Sequence, residues 1–305
     1  MLINNPQATL INWLLLICLI LFWGTSFMFT AIAVETVDPV SIVFFRVLIG
    51  ALILTIAVYA RGLRLPLTLK AWLIFILFGA VGNLLPFFLI AWGQQSIDSG
   101  IAGMIMAIMP LITMILAHYF VAGETLNRYK ISGFLLGISG ISILLGPVFE
   151  GSSQAILSGI AIFIAASSYA ANSILVRRLP RFDPLIAGAG VLIAASITML
   201  PIWLLEHHND FTQMSLSSLA SVAWLGIGPT GIATIILFSV IERAGPTFLS
   251  TINYLIPVVA FFCGVLILSE PVNSSSIIAL VIILCGIALT RYSSSQIVRS
   301  KNSHA

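Results

Sequence analysis

Long apolar blocks alternate with short polar segments along the whole 305-residue chain. The ten blocks cover residues 11–33, 39–60, 71–92, 100–121, 129–148, 155–176, 184–205, 216–241, 246–268 and 275–291. As helices rising ~1.5 Å per residue, they are long enough to cross a hydrocarbon core of ~30 Å. A helix satisfies its own backbone hydrogen bonds in lipid. The pattern therefore predicts an all-α, polytopic membrane protein with ten transmembrane helices.

Composition excludes a water-soluble enzyme. Hydrophobic residues make up 60% of the chain and charged residues 8%, and the mean hydropathy is +1.14. Soluble domains carry about 25% charged residues, so this chain has too little charge to cover a soluble surface. The net charge of +3 is small and does not indicate nucleic acid as a partner. All three cysteines (Cys18, Cys263 and Cys285) lie inside apolar blocks, and neither a disulfide nor a zinc site is expected.

The distribution of basic residues predicts the orientation of the spans, because cytoplasmic loops carry an excess of Lys and Arg. With the N-terminus in the cytoplasm, the cytoplasmic segments hold every basic residue except Arg46: Arg61, Arg64, Lys70, Arg128, Lys130, Arg177, Arg178, Arg181, Arg243, Arg291, Arg299 and Lys301. The opposite side holds acids alone: Glu35, Asp38, Asp98, Glu150, Glu206, Asp210 and Glu270. We therefore predict a multi-pass protein of the cell inner membrane with both termini in the cytoplasm.

The two halves of the chain share landmarks at a spacing of about 146 residues. Asp38 corresponds to Asp183, and Pro110 to Pro257. A repeat unit of five helices, an odd number, places its two copies in opposite orientations, and such inverted repeats build many secondary transporters. We predict one five-helix repeat at 11–148, a second at 155–292 and a cytoplasmic tail at 293–305.

These features resemble the EamA family of the drug/metabolite transporter superfamily. The residues that carry the resemblance are Trp23 and Gly24 in the first helix, the mid-helix Pro110 and Pro257, and the corner residues Glu124 and Glu270. The resemblance implies a ten-helix inner-membrane carrier that exports amino acids or other small metabolites. It also implies a central cavity lined by helices 1, 3, 4, 6, 8 and 9.

Uncharged polar and aromatic side chains on those helices are the candidate substrate-binding residues. The set is Trp23, Ser26, Asn83, Met106, Tyr169, Asn172, Thr230, Asn253 and Tyr254. Asn83, Thr230 and Asn253 fall near the middle of their spans, where a substrate would rest. Trp23 and Tyr169 occupy equivalent places in the repeat and are expected as cavity walls. Hydrogen bonding between neighbouring helices is the alternative role for each polar group.

Prolines interrupt several spans, in part at corresponding places of the two halves. A mid-helix proline removes a backbone donor and kinks the helix, and paired interruptions indicate the binding site of a transporter. We predict Pro110, Pro229 and Pro257 as hinges, and a further interruption at Gly82 and Asn83. Ordinary helix packing is the alternative.

Arg46 is the only full charge well inside a span. A charge at the bilayer centre costs at least ~2.5–3.5 kcal/mol on insertion scales, so Arg46 must face protein or water. Two roles are open. Arg46 is either a counter-charge for a substrate carboxylate, or a helix-pinning residue paired with carbonyls or with an acid such as Glu35 or Asp98.

The predicted function is secondary transport, most simply the export of amino acids or similar metabolites by alternating access. The sequence has no P-loop, and its acids lie at span ends or in loops, which argues against a buried-carboxylate proton relay. An exchanger of nucleotide sugars or sugar phosphates is the alternative, although such anions need more basic groups than Arg46. An enzyme is not expected, and neither is a cofactor or metal. The expected partners are a small-molecule substrate and the lipid bilayer, with the protein a monomer or homodimer.

Overall fold

The computed structural model describes residues 9–149, 152–180, 182–206 and 213–302. Six spans are continuous helices: α1 (Leu10–Val34), α2 (Pro39–Ala60), α5 (Arg128–Phe149), α6 (Ser153–Arg178), α7 (Pro184–Leu205) and α10 (Ser274–Asn302). By length and composition, eight of the described helices can cross a membrane, and the shorter apolar helices Ile252–Ile267 and Ser274–Thr290 complete ten spans. The predicted ten-helix, all-α membrane fold is confirmed. Glu150, Arg181 and Asp210, used above to predict orientation, lie outside the described residues, as do the chain ends 1–8 and 303–305.

The other four spans are interrupted. α3 consists of Leu69–Gly79, the π-helical Ala80–Leu84 and Leu85–Gly93, and α4 consists of Ser99–Met106 and Met109–Phe120. α8 consists of Leu216–Leu225, the π-helical Gly226–Ile232 and the part of Ala233–Leu249 that precedes Gly245. α9 begins at Pro246 and continues as Ile252–Ile267. Gly245 has a φ of 81°, which turns the chain between α8 and α9.

Two equivalent aspartates begin α2 and α7. The Asp38 carboxylate accepts a hydrogen bond of 2.8 Å from the Ser41 amide. The Asp183 carboxylate accepts bonds of 2.9 and 3.2 Å from the amides of Leu185 and Ile186. A proline follows each aspartate at the first helical position, where the missing N–H would have no intrahelical partner. α2 and α7 then pack side by side through a shared apolar cluster around Leu54 and Leu192.

The π-helical segments of α3 and α8 occupy equivalent places in the two repeats, at Ala80–Leu84 and Gly226–Ile232. Prolines explain them, because Pro86 and Pro229 have no N–H to donate to a preceding carbonyl. Side-chain hydroxyls supply the missing donors. Ser168 donates to the Val81 carbonyl at 2.6 Å, and Thr230 donates to the Leu225 carbonyl at 2.8 Å.

Pro110 and Pro257, the other two predicted hinges, lie at different positions relative to the interruptions of their helices. Pro110 is the second residue of Met109–Phe120, and the turn at Ala107 and Ile108 precedes that helix. Pro257 lies inside the continuous helix Ile252–Ile267, and the interruption of α9 precedes it at Ser250 and Thr251. A hinge role for any of these prolines stays a prediction.

α5 and α10 form a tightly packed pair at one side of the bundle. A Cβ atom added at Gly133 would lie 2.5 Å from the Gly286 carbonyl oxygen, and one added at Gly286 would lie 2.7 Å from the Gly133 carbonyl oxygen. Small residues let helix backbones approach closely in a membrane. These glycines therefore serve contact between helices of the same chain.

Candidate functional site

Arg46 extends from α2 towards the interrupted helices α3 and α8. Its Nε donates a 2.9 Å hydrogen bond to Thr230 Oγ1 on α8. Its guanidinium carbon lies 3.7 Å from the centre of the Phe87 ring on α3, a cation–π contact. The residue is only 8% exposed. In the described part of the chain its terminal nitrogens donate no hydrogen bond, and Arg46 forms no ion pair.

Thr230 is available to Arg46 because of the π-helical segment around it. Pro229 has no N–H for the Leu225 carbonyl, and the Thr230 hydroxyl donates to that carbonyl instead. The lone pairs of the same hydroxyl then face Arg46. Arg46 is thus joined to a hydroxyl and an aromatic ring, and neither Glu35 nor Asp98 is its partner.

Tyr169 on α6 completes the surroundings of the Arg46 guanidinium. Its ring centre lies 6.4 Å from that of Phe87, and the phenol is close enough to Arg46 to interact electrostatically. The Tyr169 hydroxyl forms no hydrogen bond with any described residue. The hydroxyl and the Arg46 guanidinium are therefore two neighbouring polar groups with unused hydrogen-bonding capacity.

Asn172 lies one turn after Tyr169, on the same side of α6, and packs against the π-helical segment of α3. Its amide group occupies the space where a side chain at Gly82 would begin. Its Oδ1 is buried and has no hydrogen-bond partner, which is uncommon for a buried polar atom. Asn83, next along α3, is half-buried, and its side chain makes no hydrogen bond within the described ranges.

Trp23 forms a hydrogen bond between helices, and Ser26 forms one within α1. The Trp23 indole Nε1 donates to the Pro229 carbonyl at 3.0 Å and so joins α1 to the interrupted part of α8. The Ser26 hydroxyl donates to the Trp23 carbonyl at 2.7 Å. Ser168 makes the equivalent link between α6 and the interrupted part of α3. Trp23 thus has a structural role between α1 and α8.

The other candidates are not among the described partners of Arg46. The Tyr254 hydroxyl donates to the Ile287 carbonyl on α10 at 3.2 Å. Asn253 follows directly on the interruption of α9 and is half-buried. Met106 ends the first half of α4 and packs against the largest apolar cluster. None of these three contacts the Arg46 side chain, whose described partners are Thr230, Phe87 and Tyr169.

A cavity of about 290 Å³ opens at the end of the bundle that carries the basic loop residues, here called the basic end. Its lining residues are Pro110, Thr113, Met114, Ala117, Glu124, Lys130, Arg177, Ser250 and Thr290. They belong to α4, α5, α6, the start of α9 and α10, and to the loops beside them. Of the six helices that the resemblance implies around a central cavity, α4, α6 and α9 line this cavity. Helices 1, 3 and 8 do not, and α5 and α10 line it as well.

At the opposite end of the bundle, here called the acidic end, the α9–α10 loop contacts the start of α4. The Glu270 carboxylate accepts hydrogen bonds from the amides of Ser99 at 2.7 Å and Gly100 at 2.9 Å. Gly103 of α4 packs against Ala260 of α9, and Gln94 donates to the Phe27 carbonyl of α1 at 3.0 Å. α4 and α9 are therefore in contact at the acidic end and separated by a cavity at the basic end.

Asp98 lies beside the Glu270 carboxylate in the α3–α4 loop. Its pKa is raised above 3.8, first by desolvation and then by the nearby charge of Glu270. The acidic end therefore holds two neighbouring carboxyl groups, of which Glu270 makes the helix contact.

Sequence reasoning did not select Phe87 as a site residue, and it did not predict the contacts of Glu124 and Glu270. Phe87 follows Pro86 directly after the interrupted segment of α3, and that position is the signal that could have identified it. Both glutamates are repeat landmarks in the sequence, but Ser99, a partner of Glu270, lies 171 residues away, and Arg177, a partner of Glu124, lies 53 residues away.

Comparisons with known proteins match both halves of the chain. The model of the EamA-like transporter family matches residues 10–146 and 157–292. The chain is 25% identical over 300 residues to a WAT1-related chloroplastic protein of Arabidopsis thaliana, covering 95% of this chain and 72% of that protein. It is 27% identical over 278 residues to the uncharacterized inner membrane transporter YedA of Escherichia coli (strain K12), covering 90% and 88%. A solved crystal structure with 23% identity has the same fold, with a TM-score of 0.68 over 94% of this chain and 98% of that chain.

Proposed function

The chain belongs to the EamA-like transporter family, and from this membership we propose that it is a secondary transporter of the cell inner membrane that exports amino acids or similar small metabolites by alternating access. The family and the similar proteins are transporters, which fits a role without catalysis. We place the basic end in the cytoplasm, following the rule that cytoplasmic loops are rich in Lys and Arg. The shallow cavity then lies on the cytoplasmic side, from which an exporter takes up its substrate, and the residues around Arg46 lie outside its lining.

The observation that carries the substrate proposal is the buried Arg46 without a described acidic partner. A buried charge that lacks a counter-charge is costly, and a carboxylate is the group that guanidinium nitrogens bind best, through two parallel hydrogen bonds. A substrate carboxylate at the free terminal nitrogens would therefore lower the cost of keeping Arg46 charged.

The polar groups around Arg46 favour an amino acid over a simple organic acid. The Tyr169 hydroxyl can donate to the same carboxylate, and the unpartnered Asn172 Oδ1 can accept from an ammonium group. The rings of Phe87 and Tyr169 offer apolar surface to a substrate side chain. We assign the binding role to Arg46, Tyr169, Asn172, Asn83 and Thr230. A binding role for Trp23, Ser26, Met106, Asn253 and Tyr254 stays a prediction.

The test is transport by purified protein in liposomes. Release of radiolabelled amino acids from the vesicles is measured, and the corresponding amino acid amides and amines are compared as competitors. We expect amino acids to compete and their amides, which lack the carboxylate, to compete at least tenfold less well. Transport of a sugar phosphate in place of amino acids would contradict the proposal and favour the exchanger alternative.

A further inference from the structure

Two glutamates occupy equivalent corners of the two repeats but have different partners. Glu270, in the α9–α10 loop, accepts hydrogen bonds from the amides of Ser99 and Gly100 at the start of α4. Glu124, in the α4–α5 loop, instead pairs with Lys130 at 3.8 Å and Arg177 at 3.4 Å. The inverted repeat relates the start of α4 to the start of α9. The contact that Glu270 makes at the acidic end therefore has an equivalent at the basic end, between Glu124 and α9, which this structure does not contain.

The two corners share one backbone feature. The residue before each glutamate has a left-handed conformation, with φ of 84° at Gly123 and 58° at Ser269. A positive φ is uncommon outside glycine, so Ser269 is held there by its surroundings. The Glu270 amide donates to the Gly264 carbonyl at 3.0 Å. The Glu124 amide instead donates to the Val121 carbonyl at 3.3 Å. The two corners therefore share the left-handed residue before the glutamate but not the backbone hydrogen bond of the glutamate itself.

The acidic-end contact fits closely and is electrostatically favourable. A side chain at Gly264 would collide with the Glu270 carboxylate, and one at Gly100 would lie 3.1 Å from its Oε2. A carboxylate at a helix N-terminus meets unpaired amides and the positive end of the helix dipole. Glu270 therefore joins the α9–α10 corner to α4 and closes this end of the bundle.

At the basic end the corresponding space is open. The 290 Å³ cavity is lined by Glu124 on one side and by Ser250, near the start of α9, on another. Lys130 holds the Glu124 corner through a second bond, from its Nζ to the Thr125 carbonyl at 2.7 Å. Glu124 thus faces Lys130 and Arg177, while the start of α9 lies across the cavity.

We propose that Glu270 and Glu124 are the two gate residues of the transport cycle, each of which caps the N-terminus of a helix in the opposite repeat when its own end of the bundle is closed. In the state described here, Glu270 caps α4 and the basic end is open. In the opposite state, Glu270 releases Ser99 and Gly100, and Glu124 leaves Lys130 and Arg177 to cap the start of α9. There it accepts from the amides that follow Pro246, which has no N–H of its own. The inference rests on the alternating access proposed above, but it does not depend on the substrate.

The test measures the width of both ends in the full-length protein in lipid nanodiscs. Cys18, Cys263 and Cys285 are replaced by alanine, and pairs of spin labels are introduced at exposed positions. One pair, at Gln95 and Val272, spans the acidic end, and the other, at Ala122 and Leu255, reports on the basic end. Distances within each pair are obtained by double electron–electron resonance.

Glu270→Ala is expected to lengthen the acidic-end distance and shorten the basic-end distance. Glu124→Ala is expected to do the reverse. The ratio of open to closed populations should change by roughly tenfold, the size of one hydrogen bond to a charged group. Glu206→Ala, at an exposed acid of the acidic end, and Glu242→Ala, at an exposed acid of the basic end, are the matched controls and should change neither distance.

The gate assignment is overturned if Glu270→Ala and Glu206→Ala give the same distances, or if Glu270→Ala and Glu124→Ala shift the populations in the same direction. Should Glu270→Ala fail to fold, Glu270→Gln replaces it. The amide keeps an oxygen acceptor but loses the charge, so a smaller shift in the same direction is expected, and unchanged distances would overturn the assignment. If the two variants shift the populations in opposite directions but the protein transports no amino acid, the gate assignment is supported and the substrate proposal is wrong.

Discussion

Arg46 and Thr230, 184 positions apart in the chain, are joined by a hydrogen bond of 2.9 Å. The bond links α2 of the first repeat to the π-helical segment of α8 in the second. It uses one of the five N–H donors of the guanidinium, and no other described side chain or carbonyl accepts from the rest. The link therefore orients Arg46 without neutralising it, which leaves the charge to act on a ligand.

Replacing Arg46 is expected to separate binding from stability. Arg46→Gln removes the positive charge, so the affinity for a carboxylate substrate should fall at least ~30-fold, about 2 kcal/mol. The melting temperature should stay unchanged or rise, because a buried charge without a described counter-charge is removed. Liposome efflux and thermal unfolding measure the two effects, and Arg46→Lys should keep part of the affinity. A lower melting temperature with normal efflux would favour the helix-pinning role instead.

Tyr169 and Trp23 occupy equivalent places in the repeat, but replacement by phenylalanine should affect substrate binding at Tyr169 and stability at Trp23. The Tyr169 hydroxyl bonds no described residue, so Tyr169→Phe should leave stability unchanged and weaken substrate binding by about fivefold, or roughly 1 kcal/mol for one hydrogen bond. Trp23→Phe removes the bond to the Pro229 carbonyl and should lower the unfolding free energy by about 0.6–2 kcal/mol. Isothermal titration and thermal unfolding of both variants provide the comparison. Equal effects of the two changes on binding would show that both residues line the substrate site.

Asp98 should make the stability of the acidic end depend on pH. Its raised pKa means that the folded protein holds this proton more tightly than the unfolded chain does. The stabilising contribution is therefore present at low pH and is lost as the pH rises from 3.8 through the raised value. Asp98→Asn imitates the protonated form and should raise the melting temperature at pH 7, with the gain shrinking towards pH 4. Thermal unfolding across this range tests the sign, and a gain that grows on acidification would refute it.

The close contact of α5 and α10 should tolerate no additional atoms. Gly133→Ala would place a methyl group against the Gly286 carbonyl and is expected to cost about 1–3 kcal/mol, as overpacking does elsewhere. Gly146→Ala is the matched control, because a Cβ atom at this position of the same helix has no neighbour within 4 Å. Thermal unfolding in detergent should separate the two variants by several degrees. Indistinguishable melting curves would mean that the two helices can move apart at little cost.

The sequence by itself determined the ten spans and their approximate ends, because these depend on local properties, and it predicted the inverted duplication. Twenty or so apolar residues must form a helix in lipid. An aspartate followed by a proline begins a helix wherever it stands, as at Asp38 and Asp183. Pro229 interrupts its helix because it lacks an N–H, whatever surrounds it.

Only the tertiary structure decided what the interrupted helices and the buried charge contact. The sequence indicates how deep Arg46 lies in its span, but its direction depends on how α2 is rotated against α3 and α8. That rotation brings Phe87 and Thr230 to the guanidinium and keeps Glu35 and Asp98 away. The same holds for Glu124 and Glu270, each of which follows a residue with a positive φ. Long-range packing places the start of α4 against Glu270 and leaves a cavity beside Glu124. In a single conformation, the two corners therefore have different surroundings.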